Sequence, residues 1–157
     1  MLSDEFDVFI LWPSNMHNLC GLSSLFLPYF REIDSLADFD EAKYLASVLK
    51  RIHEPGRWLL FAQSKTGKPS GFSFFKIDRD ERIGWGYIME FYVRPEYRRQ
   101  GLGRKLNEES CRLLSNSGVQ KVWLTTCIPA ESFWENCGFQ FTGEVHENGK
   151  RTMAKIL

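Results

Sequence analysis

The sequence predicts a mixed α+β fold, a mostly antiparallel central sheet flanked by helices. Three observations carry this expectation. Runs rich in aromatic and β-branched residues recur between turn signals at 57–63, 71–77 and 85–93. Segments with helical spacing stand before and after that block rather than alternating with its strands. A single strand-helix-strand crossover then follows, which excludes a doubly wound parallel sheet. With 157 residues, 43% of them hydrophobic, there is apolar material for one core, and residues 1–157 are expected to form one domain.

The elements follow in order. Residues 6–12 alternate weakly and read as a first strand. From 19 to 36 apolar residues recur at helical spacing, with Pro28 expected to break or kink the helix. Asp40 is placed to cap a second helix whose apolar face would be Ala42, Leu45, Ala46, Leu49 and Ile52, with Pro55-Gly56 as its stop. Residues 57–63 and 71–77 form a hairpin through the turn at 65–69. A polar turn at 78–81 leads to a longer strand, 85–93, and a loop, 94–100. A helix over about 102–115 turns Leu102, Leu106, Ser110, Leu113 and Leu114 inward, with Gly118 in its C-cap region. Residues 119–126 are a strand. Pro129 starts a short helix that Gly138 ends. A last hairpin, 139–145 with 151–156, closes through Asn148-Gly149.

Composition narrows the function. Lys and Arg total 20 and so do Asp and Glu, so the net charge is zero and long nucleic acid is not an expected partner. No apolar run approaches the roughly 18 residues of a membrane helix. The first residues, Met1-Leu2-Ser3-Asp4-Glu5-Phe6-Asp7, do not read as a signal peptide, and a cytoplasmic location is expected. The cysteines, Cys20, Cys111, Cys127 and Cys137, form no CxxC pair and stand away from the histidines at ligand spacing. No metal is expected, and free buried thiols are. Trp12, Trp85 and Trp123 read best as core.

The informative stretch runs from Glu90 to Leu106. A strand ends at Val93, a basic loop follows, and Gly101 and Gly103 lead into a helix. The first turn of a helix has unpaired N–H groups and a positive dipole end. Glycines let an anion approach that backbone. Arg98, Arg99, Arg104 and Lys105 add positive charge, so the segment reads as a phosphate or diphosphate site. A solvated turn with an arginine-rich face is the plainer alternative. The dinucleotide fingerprint fails because Leu106 stands where its third glycine should be. The nucleotide-triphosphate loop fails at Ala62 and Pro69.

The remaining pattern, Arg98-x-x-Gly101-x-Gly103 within Tyr92-Val93-Arg94-Pro95-Glu96-Tyr97-Arg98-Arg99-Gln100-Gly101-Leu102-Gly103, resembles the acetyl-CoA signature of the GNAT superfamily of N-acyltransferases. A second stretch, Ala130-Glu131-Ser132-Phe133-Trp134-Glu135-Asn136-Cys137-Gly138-Phe139, resembles that family's later motif. The likeness covers about residue 58 to the C-terminus. It implies a GNAT-like acyl-CoA N-acyltransferase fold, with acetyl-CoA as cosubstrate and an amine as acceptor. The implied state is a monomer or homodimer, with no nucleic-acid or membrane partner.

The resemblance also implies roles. Phe91, Tyr92 and Val93 would line the pantetheine arm, from a strand that splays from its neighbour. Arg98, Arg99, Gln100, Gly101, Leu102, Gly103 and Arg104 would cradle the diphosphate, chiefly by backbone N–H groups. Core packing explains Phe91 and Val93 as well. Glu90 stands where the family often has an acid and is the expected general base, since an amine must lose a proton to attack. Strand alternation puts Glu90 and Tyr92 on one face. The family's usual tyrosine acid is replaced by Trp134, whose indole N–H is no usable acid. Tyr92, Ser132, Cys137 or water would substitute, and Cys127 replaces a common asparagine. Glu32, Asp34, Asp38, Asp40 and Glu41 form an acidic run that would flank the acceptor mouth, or cap helices in a solvated loop. A noncatalytic acyl-CoA sensor and a phosphopeptide or nucleic-acid binder are the competing readings.

Overall fold

The computed structural model describes residues 5–12, 16–33, 40–52 and 54–157. The chain begins with β1 (Phe6–Ile10), α1 (Met16–Glu32) and α2 (Glu41–Arg51). Three strands follow, β2 (Arg57–Ser64), β3 (Pro69–Ile77) and β4 (Gly86–Val93). Then come α3 (Leu102–Asn116), β5 (Lys121–Thr126), α4 (Glu131–Asn136), β6 (Gln140–Val145) and β7 (Arg151–Ile156). The strands form one sheet in the order β1-β2-β3-β4-β5-β7-β6. Every pairing is antiparallel except β4 with β5, so the predicted mixed α+β class is the observed one.

Strand alternation divides the buried side chains between the two faces. On one face Leu102, Leu106 and Leu114 of α3 pack against Phe75, Ile88, Val122 and Trp134. On the other, Leu22, Leu25, Phe26 and Tyr29 of α1, with Val48 of α2, pack against Phe61, Phe72, Phe74 and Tyr92. Each fully buried large side chain contributes about 1.5–3 kcal/mol. The two helical layers therefore hold opposite faces of β4, the strand on which the candidate site stands.

Several details differ from the sequence expectation, each for a physical reason. Pro28 does not break α1. Its missing N–H would orphan the carbonyl four residues back. That carbonyl, on Ser24, instead accepts from the Arg94 guanidinium at 3.3 Å. The expected extension of the helix to residue 36 runs into residues 34–39, outside the described ones. Asp40 caps α2 as expected, its carboxylate accepting from Lys43 N–H at 3.1 Å. The buried face of α2 is rotated, however. Ala42 and Ala46 are exposed while Tyr44, Leu45, Val48 and Leu49 face the core, because the larger side chains hide more apolar area. Asn107 joins the expected inward face of α3. Trp123 is core, but Trp12 is 52% exposed just beyond the end of edge strand β1, and Trp85 is half-buried under Arg82 and Lys121. The thiols are free, yet Cys20 and Cys127 are exposed, so the expectation of buried thiols fails for those two.

Candidate active site

β4 and β5 pair only at Gly86–Val122 and Tyr87–Trp123. From Ile88 onward β4 keeps β3 as its partner, and β5 from Leu124 keeps β7. The sheet thus opens into a wedge between the C-terminal halves of two parallel strands. The backbone edge of β4 facing that wedge lacks a strand partner, which an extended ligand arm with amide groups could supply.

Beside the wedge β4 carries a bulge. The register passes from Phe74 opposite Glu90 to Phe75 opposite Ile88, so Met89 is an extra residue. Ile88 packs on the α3 side while Met89 packs toward α1. Without the extra residue, Glu90 would share the face of Ile88. With it, Glu90 turns to α1, where the Tyr29 hydroxyl donates to its carboxylate. Burial pushes the Glu90 carboxyl above its usual range, and the Tyr29 hydrogen bond and the Lys150 charge pull it part of the way back. Tyr92 lies on the same face, its ring against Tyr29 at 5.5 Å, and burial raises its hydroxyl pKa. Phe91 points the other way, against Phe133 and Trp134 at 5.6 and 4.8 Å, and Val93 joins the same core.

The loop after β4 makes a short 3-10 turn, Pro95–Tyr97, and reaches α3 through two left-handed residues, Arg99 at φ 59° and Gly101 at φ 87°. Gly101 is the N-cap of α3, and only a glycine holds that conformation at little cost. Backbone hydrogen bonding stops at Arg98 N–H to Pro95 O and resumes at Lys105 N–H to Gly101 O. The amides from Arg99 to Arg104 lie between, at the positive end of the helix dipole, with left-handed turns of the kind that make N–H groups converge on an anion. An ideal Cβ on Gly103 would stand 2.8 Å from the Phe133 ring, so this glycine lets α4 close on the start of α3.

The flanking cations divide. Arg98 donates through Nε to Val93 O at 2.8 Å and through its terminal nitrogen to both Glu32 oxygens at 2.8 and 2.6 Å. Its side chain therefore ties α1 to the end of β4. Lys105 reaches Phe6 O at 3.0 Å. Arg99 and Arg104 are exposed beside the bare amides. Gln100 bonds back to Glu96 O at 2.9 Å, and Leu102 is buried in the core.

The later motif supplies packing. Trp134 is 5% exposed among Phe91, Phe133 and Phe139. Cys137 is buried and burial pushes its thiol pKa up, while Ser132 and Cys127 lie nearer the surface. The acidic run has structural partners wherever it is described. Glu32 pairs with Arg98, Asp40 caps α2 and Glu41 accepts from Ser23 at 2.5 Å. Asp34 and Asp38 lie outside the described residues. Among the described residues one group could offer three metal ligands, Glu81, His146 and Glu147. There His146 Nε2 lies 3.0 Å from the Glu81 carboxylate and its Nδ1 lies 3.4 Å from the Asn148 amide, so both ring nitrogens have protein partners.

Sequence reasoning missed Tyr29, Arg94 and Asp78. Tyr29 falls on the apolar face of α1, where only its polar tip could have signalled a second role. Asp78 is 1% exposed. Burial opposes its charge, but the amides of Arg82, Asp80 and Glu81 and the Trp123 indole outweigh burial and hold its carboxyl below the usual range.

Comparison with known proteins adds the following. A family model described as "Acetyltransferase (GNAT) family" matches residues 19–139. A ribosomal protein bS18-alanine N-acetyltransferase of Escherichia coli (strain K12) is 33% identical over 86 residues, 53% of this chain and 55% of that protein. A spermine/spermidine N(1)-acetyltransferase of Bacillus subtilis (strain 168) is 28% identical over 88 residues, 54% and 58% of the two chains. The matches thus span little more than half the length of these relatives. A PaiA N-acetyltransferase from Thermoplasma acidophilum, solved in complex with coenzyme A, superposes with a TM-score of 0.74 at 17% identity, over 97% of this chain and 99% of that one.

Proposed function

Because this chain belongs to the GNAT acetyltransferase family, we propose that it transfers an acetyl group from acetyl-CoA to a primary amine of a small molecule or peptide. The observation that carries the proposal is the wedge. It lies along the free edge of β4, the chain leaving β4 leads to the bare amides of residues 99–104, and an acid stands on the neighbouring face of the same strand.

The pantetheine arm would pair with β4 beside Phe91, Tyr92 and Val93. The diphosphate would take the amides from Arg99 to Arg104, with the Arg99 and Arg104 side chains outside it. An alkyl ammonium has a pKa near 10, so the acceptor arrives charged. Glu90 takes one of its protons, directly or through a water, and frees the nitrogen lone pair. The N–C bond forms as the C–S bond breaks. Nitrogen gives up its second proton as the amide forms, and sulfur leaves as a thiolate that takes up a proton. Burial favours Glu90 for this task, because a base whose pKa lies closer to neutrality accepts a proton more readily. Tyr92, kept protonated by burial, and water are the proton sources for the thiolate. Trp134 serves as core, so it is not among them.

The reading is tested in two steps. Acetyl-CoA at about 100 times its Kd should stabilise the protein by about 2.7 kcal/mol. Thiol release is then followed over a polyamine, an aminoglycoside, an amino acid and a peptide N-terminus. An unmoved melting transition removes the cofactor assignment. Stabilisation without thiol release on any amine leaves a noncatalytic acyl-CoA-binding module.

A further inference from the structure

Resting on the reading of Glu90 as proton acceptor, we propose that Tyr29 is a positioning residue for that carboxylate. Its hydroxyl fixes one oxygen and leaves the other for the acceptor. The contact joins α1 to β4 across 61 residues of sequence. The Tyr29 hydroxyl donates to Glu90 Oε2, which sets its donor direction. The ring has little freedom. It meets Phe30, Phe72 and Tyr92 at 4.9, 5.4 and 5.5 Å, and the residue is 7% exposed. Among the described residues the one hydrogen bond to the Glu90 carboxylate falls on Oε2, and the residue is half-buried rather than sealed.

The helix that carries Tyr29 is itself held in place from the loop after β4. Arg94 takes the Ser24 carbonyl that Pro28 frees, and Arg98 grips Glu32. These ties lie on either side of Tyr29, so the segment that precedes the bare amides also sets where its hydroxyl stands.

The chemical consequence is specific. A half-buried carboxylate drifts toward its neutral, proton-bearing form, which cannot act as a base. A donor to the ionised form opposes that drift without neutralising the group. Among the described residues, the other titratable groups that act on Glu90 or feel its charge are Tyr44 on α2, Tyr87 on β4 and Lys150 in the β6–β7 turn. Tyr44 and Tyr87 are held protonated by burial, so the Tyr29 hydrogen bond and the Lys150 charge carry the opposition.

The test is Tyr29→Phe, which removes one oxygen and keeps the packed ring. Glu90 is titrated by carbon NMR of glutamate labelled at the carboxyl carbon, which needs no acceptor. Its transition should move to higher pH in the variant. In thiol-release kinetics, with spermidine and an alanine-initiated peptide as probe acceptors, the acidic limb of kcat/KM should move the same way. At neutral pH kcat should fall about ten- to hundredfold, the worth of a hydrogen bond to a charged group, with little change in acceptor KM and recovery at higher pH. Tyr29→Phe added to Glu90→Gln should cost nothing further. An unmoved Glu90 titration, or a uniform loss with an unmoved limb, overturns the proposal even where Glu90→Gln is inactive. Full activity in Glu90→Gln overturns instead the base on which it rests.

Discussion

If Glu90 is the base we propose, it has opposed effects on stability and on activity. Its carboxyl pKa is raised in the folded protein, chiefly by burial. A raised acid favours the fold below its unfolded pKa, and that contribution is lost as pH rises to the folded value. Toward neutral pH the native state therefore loses that contribution. Glu90→Gln should lower kcat by about 10²- to 10⁴-fold. Its melting temperature at pH 7 should equal or exceed that of the wild type, an advantage that fades in acid. A variant equally active, or markedly less stable at pH 7, would contradict this. Glu90 was legible as a strand carboxylate, and its expected role as base came from the family resemblance. Tyr29 was not, since a tyrosine on the apolar side of a helix reads as packing. Arg98 was legible as a motif residue but not in its use, because its partner Glu32 lies 66 residues away.

At the level of elements, two irregularities shape the site. One is the β4 bulge. Alternation alone puts Glu90 and Tyr92 on one face, as expected, but only the extra residue turns that face to α1 rather than to α3. No residue in Gly86–Val93 marks the bulge, so it could not be read in advance. The other is Pro28, expected to break or kink α1, although the helix runs through it unbroken. The missing donor is replaced by Arg94 from a distant loop, a tertiary contact that local propensity does not contain. Arg94→Ala should therefore cost on the order of 1 kcal/mol of stability. In a Pro28→Ala background that loss should shrink, because the restored backbone N–H can then satisfy the Ser24 carbonyl within the helix. Chemical denaturation of the four proteins measures the coupling. Equal losses in both backgrounds would contradict the link between Pro28 and Arg94.

For the molecule as a whole, the sheet consists of two antiparallel parts, β1 to β4 and β5-β7-β6, joined by two parallel residue pairs. The wedge lies between them, and the sheet there is covered by α1 and α2 on one face and α3 on the other. The order of elements was legible because caps, glycines and turn pairs mark nearly every boundary. The wedge was not, since where two strands part depends on what fills the space between them. It entered the sequence reading only through the family resemblance. No helix among the described residues is long and apolar enough to cross a membrane. The central claim is that coenzyme A delivers its diphosphate to the amides of residues 99–104. Proton–nitrogen correlation spectra of the labelled protein, recorded as acetyl-CoA is added, test it most directly. The largest amide shifts should fall at Arg99 to Arg104, followed by the free edge of β4. Saturable binding that leaves those amides unmoved while others respond would contradict the account.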